Sequence, residues 1–133
     1  MQNTTTNSLF IGKTVLELLE KSNPLTDLVG VNIHPVIVQK DTVFPYVVYR
    51  RSGLETSYTK DNYATDDTVT IDVIAVSQSY SESLNVAQAV RMALENKKGD
   101  FKDLRINSIE LVDAQEGGED VFVQSLTFKI NCK

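Results

Sequence analysis

Groups that commonly carry chemistry are scarce in this chain. There is one histidine, His34, and one cysteine, Cys132, among 133 residues. A single thiol has no internal disulfide partner, which fits a reducing compartment. As a nucleophile it would need a base and an orienting group, and His34 stands about a hundred residues away in sequence. A metal centre needs three or four converging ligands, so only carboxylates remain to build one. The densest acidic runs, Asp66-Asp67 and Glu116 to Asp120, lack the spacing of a calcium-binding helix–loop–helix. They read as solvated charges flanking turns. No phosphate-cradling glycine loop and no Gly-x-Ser-x-Gly elbow is present. His34 precedes Pro35 in a strand-like run and reads as structural or solvent-facing. The sequence therefore predicts no enzymatic activity, no metal and no cofactor, although paired carboxylates remain a matter for the fold.

Long apolar runs are also missing. No stretch approaches 18 consecutive apolar residues, so no membrane-spanning helix is expected. Residues 1–8 are polar and uncharged, unlike a secretory leader. Basic residues are outnumbered, 13 against 18 acidic, for a net charge of −5. The deficit falls after residue 50. An acidic chain repels phosphate backbones, and no cluster of Lys and Arg among aromatics offsets that. Tight or sequence-specific nucleic-acid binding is not expected.

The residues that are present suit one globular domain, 1–133. At 41% apolar and 23% charged, a chain of this length buries roughly two thirds of its unfolded surface. A helix is predicted over 8–21. Leu9, Ile11, Val15, Leu16, Leu18 and Leu19 fill one side, and Lys13, Thr14, Glu17, Glu20 and Lys21 the other. Phe10 falls on the polar side. Ser22-Asn23-Pro24 stops this helix. Strand-like runs follow at Val31 to Val38, demoted to an edge or bulged strand by Pro35, at Phe44 to Tyr49, apolar on both faces, and at Thr68 to Ser77, which alternates.

Between the last two lies a polar excursion, Arg51 to Asp67. It reads as a long loop or as a protruding hairpin with its tip near Asp61, and the alternation Leu54, Thr56, Tyr58 favours the hairpin. A second helix, 80–97, opens on a capping box of Ser79 with Glu82. Val86, Ala87, Val90, Ala93 and Leu94 make its core face. Two strands follow, Leu104 to Asp113 and Asp120 to Asn131, joined at Gly117-Gly118. Phe122, Gln124, Leu126, Phe128 and Ile130 share one face of the last. The expected fold is α+β, a single mostly antiparallel sheet with two main helices packed on it. Its element order is helix-strand-strand-strand-helix-strand-strand.

Seven residues stand out as candidates for contact between subunits. Tyr58 and Tyr63 are aromatic anchors on a polar excursion, and Lys60 and Asp61 are charges near its tip. Arg50 and Arg51 form a basic spot at the end of an apolar strand, and Phe10 is an apolar residue on a polar helix face. The tyrosines could equally pack on their own strands, and the arginines could simply solvate a strand end.

The run Ile33-His34-Pro35-Val36-Ile37-Val38-Gln39-Lys40-Asp41-Thr42-Val43-Phe44-Pro45-Tyr46-Val47-Val48-Tyr49 resembles the signature of the phage tail-completion family. This family is also called head–tail joining or tail-terminator proteins. Its Gln-x-x-x-x-x-Pro-Tyr-Val segment matches Gln39 through Pro45, Tyr46 and Val47. Tyr80-Ser81-Glu82, Arg91-Met92-Ala93-Leu94 and Gln124-Ser125-Leu126-Thr127-Phe128 match further on. The chain departs from the pattern at Val38, where the family often has Pro.

The resemblance implies a structural subunit of a phage or prophage tail, without enzymatic activity or cofactor. Such a subunit forms a ring, typically a hexamer, that closes the tail tube and joins it to the head connector. The implied partners are copies of the chain, the tail tube protein and the head–tail connector protein, with DNA passing through the ring and no membrane contact. The implied location is the virion tail, and the host cytoplasm during assembly. Without the resemblance, the residues alone are also compatible with a bacterial small-molecule-binding or regulatory α+β domain. A carboxylate-based enzyme is a third reading.

Overall fold

A computed structural model of the chain describes residues 6–58, 64–102 and 104–133, with the side chains of 64 and 65 left out. One curled, mixed sheet of six strands carries three α-helices. A 3-10 turn, Ser8–Phe10, leads into α1, Ile11–Glu20. Then come α2, Asn23–Val29, β1, Ile33–Pro35, β2, Tyr46–Tyr58, and β3, Ala64–Ser77. The chain closes with α3, Tyr80–Leu94, β4, Gly99–Phe101, β5, Leu104–Gly117, and β6, Phe122–Cys132. The strand order is β1-β2-β3-β6-β5-β4. Every pairing is antiparallel except β1 with β2.

The α+β class and the antiparallel majority match the expectation, but the element count does not. Pro24 ends α1 as expected, yet it also opens a third helix from its first turn, where a missing N–H costs nothing. The run Val31 to Val38 yields only three paired residues, at the sheet edge, as Pro35 required. A short β4 pairs Gly99–Phe101 with Leu104–Ile106.

Helix wheel and structure disagree at the start of α1. The first turn is 3-10, which rotates Leu9 and Phe10 outward, and they are 67% and 60% exposed. Thr14, assigned to the polar side, is buried, and Leu18 is only partly buried. The rest of the core follows the pattern. Ile11, Val15 and Leu19 from α1 meet Val86, Val90 and Leu94 from α3, over Val47, Ile71, Phe128 and Ile130 of the sheet. All ten are 0% exposed. The final residue of this layer is Cys132, also fully buried. No helix among the described residues is long and apolar enough to cross a membrane.

The cap of α3 differs in one link. Ser79 accepts from the Glu82 backbone N–H at 3.4 Å, as a capping box requires. The Glu82 carboxylate does not reach back to Ser79. It accepts instead from the hydroxyl of the buried Ser77, at 2.7 Å, and that hydroxyl oxygen accepts from the Ser79 backbone N–H. The box is closed through a third side chain, which ties the helix start to the end of β3.

The excursion is a continuation of the two strands. β2 and β3 pair from Tyr46 with Val76 as far as Tyr58 with Ala64. Much of it lies inside the sheet, because β3 also pairs with β6 as far as Asp67 with Cys132. Leu54 packs against the core, and Asp67 is buried. Only about the last two residues of β2 and the first three of β3 reach past the final β3–β6 pair. The turn residues Lys60, Asp61 and Asn62 lie outside the described residues.

Candidate functional site

Three of the seven candidate residues converge. Phe10, Arg50 and Arg51 line one cleft of about 410 Å³, with Leu9, Pro35 and Val36. The pleat sends Arg50 and Arg51 to opposite faces of β2, and the cleft lies against that strand's edge. Neither stands at a strand end, since β2 runs on to Tyr58. Arg50 places its Nε 3.5 Å from the carboxylate of its cross-strand neighbour Asp72. Arg51 donates from its guanidinium to the Leu9 carbonyl at 3.3 Å. The Lys13 ammonium sits 5.6 Å from the centre of the Phe10 ring, within cation–π range.

A buried carboxylate fixes the turn that presents Leu9 and Phe10. The hydroxyls of Ser8 and Thr6 donate to Asp67 Oδ2. Burial alone would push the Asp67 carboxyl upward, but the hydroxyls of Ser8, Thr6 and Thr56 outweigh it and hold it below the ordinary 3.8. Asp67 is thus no solvated charge flanking a turn. It is a 3% exposed anchor joining the N-terminal turn to β2 and β3. Sequence gave no sign of this, because its partners are distant hydroxyls on different elements.

Tyr58 stands apart, 66% exposed at the last described residue of β2. Lys60, Asp61 and Tyr63 lie outside the described residues.

A second surface escaped sequence reasoning. The rings of Tyr80, opening α3, and Phe122, opening β6, meet edge to face with centroids 5.7 Å apart. They are 45% and 42% exposed. Alternation places Phe122 on the core face, but at the first residue of β6 it meets only the start of α3 and stays half-exposed. The Tyr80 hydroxyl donates to Glu116 at 2.9 Å, and the Gln124 amide donates to the same carboxylate oxygen at 3.0 Å. Gln124, itself buried, also reaches the Ser83 hydroxyl at 3.3 Å. These donors, Gln124 first, hold the Glu116 carboxyl below its usual range. Beside it, Gly118 turns with φ +117, and a Cβ there would fall 2.0 Å from the Val121 carbonyl oxygen. The connection therefore specifies glycine at this position.

The two residues screened for chemistry have structural surroundings. Burial, aided by the charges of Asp67 and Asp66, pushes the Cys132 thiol up to about 11. That is the opposite of nucleophile activation. His34 packs edge to face with Tyr46, centroids 6.5 Å apart. Among the described residues no three His, Cys, Asp or Glu side chains are grouped to hold a metal ion.

Comparison with known proteins gives the lineage. Residues 13–130 match the family described as tail completion protein gp17. Among solved structures, one similar chain comes from the virion of a native gene transfer agent particle. Its TM-score is 0.73 at 15% identity, with 89% of this chain and 90% of that chain covered. The bacteriophage SPP1 gp17 protein aligns with a TM-score of 0.52 at 24% identity, covering 93% of this chain and 91% of that one. At these identities the two structures speak to the fold. A search of curated proteins found no match. The family match spans nearly the whole chain, so the protein belongs to the tail completion protein gp17 family and is a structural subunit of a phage-type tail.

Proposed function

We propose that the chain acts as one domain that assembles into a closed ring, a hexamer, at the end of the tail tube. There it joins the tube protein to the head connector without catalysing a reaction. It is built into the virion tail, and it assembles beforehand in the host cytoplasm. The observation that carries this reading is the β2–β3 arm. Two strands outrun the rest of the sheet and place a 66% exposed tyrosine at their far end. A large exposed aromatic on a polar projection suits an anchor buried in a neighbour. Arg50, Arg51 and Phe10 gather at the middle of β2, away from the arm's tip, in keeping with a second contact surface.

The charge balance is compatible with the same reading. A net charge of −5 suits a wall that repels phosphates and lets DNA pass without being gripped. A ring also needs two different faces on each subunit, since a head-to-tail contact closes only when unlike patches meet.

Replacing residues 57–63, which leaves Thr56 and its bond to Asp67 in place, with a Gly-Ser linker tests the arm. Tails assembled with this variant should lack the terminal ring while the chain itself stays folded. Normal rings with the linker in place would contradict the role given to the arm.

A further inference from the structure

The cleft and the aromatic surface described above carry apolar groups edged by charges of opposite sign. The cleft is mostly apolar, with buried Ile11 and Tyr49 and exposed Leu9, Phe10 and Val36 in its lining, and it also carries Lys13 and Arg51. The other surface presents the half-exposed pair Tyr80 and Phe122 in a shallow hollow, edged by Glu116, Glu119 and Asp120, all exposed. Among the described residues, no ion pair engages Lys13, Arg51, Glu116, Glu119 or Asp120. Arg51 and Glu116 hold internal hydrogen bonds but no opposite charge, and Glu119 and Asp120 are exposed, so the two surfaces keep net charges of opposite sign.

Both surfaces are also held rigid. Ser8 on Asp67 and Arg51 on the Leu9 carbonyl fix the cleft. The chain of bonds from Tyr80 through Glu116 and Gln124 to Ser83 fixes the aromatic pair. Rigid surfaces lose less conformational freedom on association. The two lie on different parts of the subunit: the cleft at the β1–β2 edge, the aromatic pair where β6 and α3 begin.

We propose that the Tyr80–Phe122 surface of one copy packs against the Phe10–Arg51 cleft of the next, so that copies pack front to back. The occupant is a second copy of this chain because the chain itself carries both halves of the complement. Burying the aromatics supplies the attraction, and the basic rim of Lys13 and Arg51 facing Glu116, Glu119 and Asp120 sets orientation. A contact between unlike faces leaves one of each kind free, so it propagates until the ring closes. The pairing rests on the ring assembly proposed above and names the faces that meet in it.

The experiment uses tails assembled with full-length variants. Phe10→Cys and Phe122→Cys are introduced singly and together, the tails are oxidised mildly, and the linked species are resolved by size. The double variant should give a ladder of linked chains, and each single variant none. In parallel, Lys13→Glu and Glu119→Lys are compared with their combination, since neither native side chain holds an internal hydrogen bond among the described residues. Each single reversal should lower the copies of the chain per tail about tenfold, and the combination should restore them. Restoration separates a contact from local damage, because two damaged folds do not repair each other. Tails that carry the chain in a ring but give neither ladder nor restoration overturn this pairing and leave the ring reading standing. Links from Phe10→Cys alone also overturn it, since they mean like faces meet. Tails without the unsubstituted chain overturn the ring reading itself, and the pairing with it.

Discussion

The Ser8 hydroxyl donates to the buried carboxylate of Asp67, 59 residues along the chain. This bond fastens the turn before α1 to the base of the arm. It sets where Leu9 and Phe10 stand relative to Arg51, and so shapes the cleft.

Asp67 makes stability depend on pH. Its folded pKa lies below the ordinary 3.8, so its contribution is fully present above 3.8 and is lost as pH falls through the folded value. Acid unfolding monitored by circular dichroism should show this loss below about pH 4. Asp67→Asn should weaken the native protein at pH 7, by about 1–3 kcal/mol for a disrupted buried bond, and flatten the acid limb. An unchanged acid limb in the variant contradicts the role.

Cys132 should be inert in the folded protein. With its thiol pushed up to about 11 and fully buried, a thiol reagent at pH 7.5 should label it only as fast as the chain opens. Cys132→Ser should leave tail assembly intact, with a modest loss of stability. Rapid labelling under native conditions contradicts this environment.

Leu126 sits on β6, 7% exposed and within the core. Leu126→Ala should cost about 2–5 kcal/mol in denaturant unfolding, through lost burial and the cavity left behind. A cost below about 1 kcal/mol would mean the site collapses freely or is not packed as described.

Regular patterning made the central elements legible in the sequence. The core face of α3 was read correctly because Val86, Val90, Ala93 and Leu94 recur at helical spacing. Leu126, Phe128 and Ile130 were read correctly because they alternate. What failed were local exceptions decided by tertiary packing. The 3-10 turn at Ser8–Phe10 breaks the helical wheel that had placed Leu9 inside. Phe122 continues the alternation of β6 but meets only the start of α3 and stays half-exposed.

The candidate site was legible only in pieces. Phe10, Arg50 and Arg51 could be picked out singly, as residues unlike their surroundings. Their convergence depends on Asp67 and its hydroxyl donors, which no spacing in the chain links. Tyr80 stands out in the sequence only within the Tyr80-Ser81-Glu82 family match, and its bond to Glu116 joins residues 36 apart.

The measurement that tests the account most directly is electron-microscopic averaging of the head-proximal end of purified tails, with this chain marked by a small fused domain. The account predicts a closed ring of marked subunits at that end, absent when the chain is left out of assembly. Tails that lack the chain, or carry it only along the tube, would contradict it.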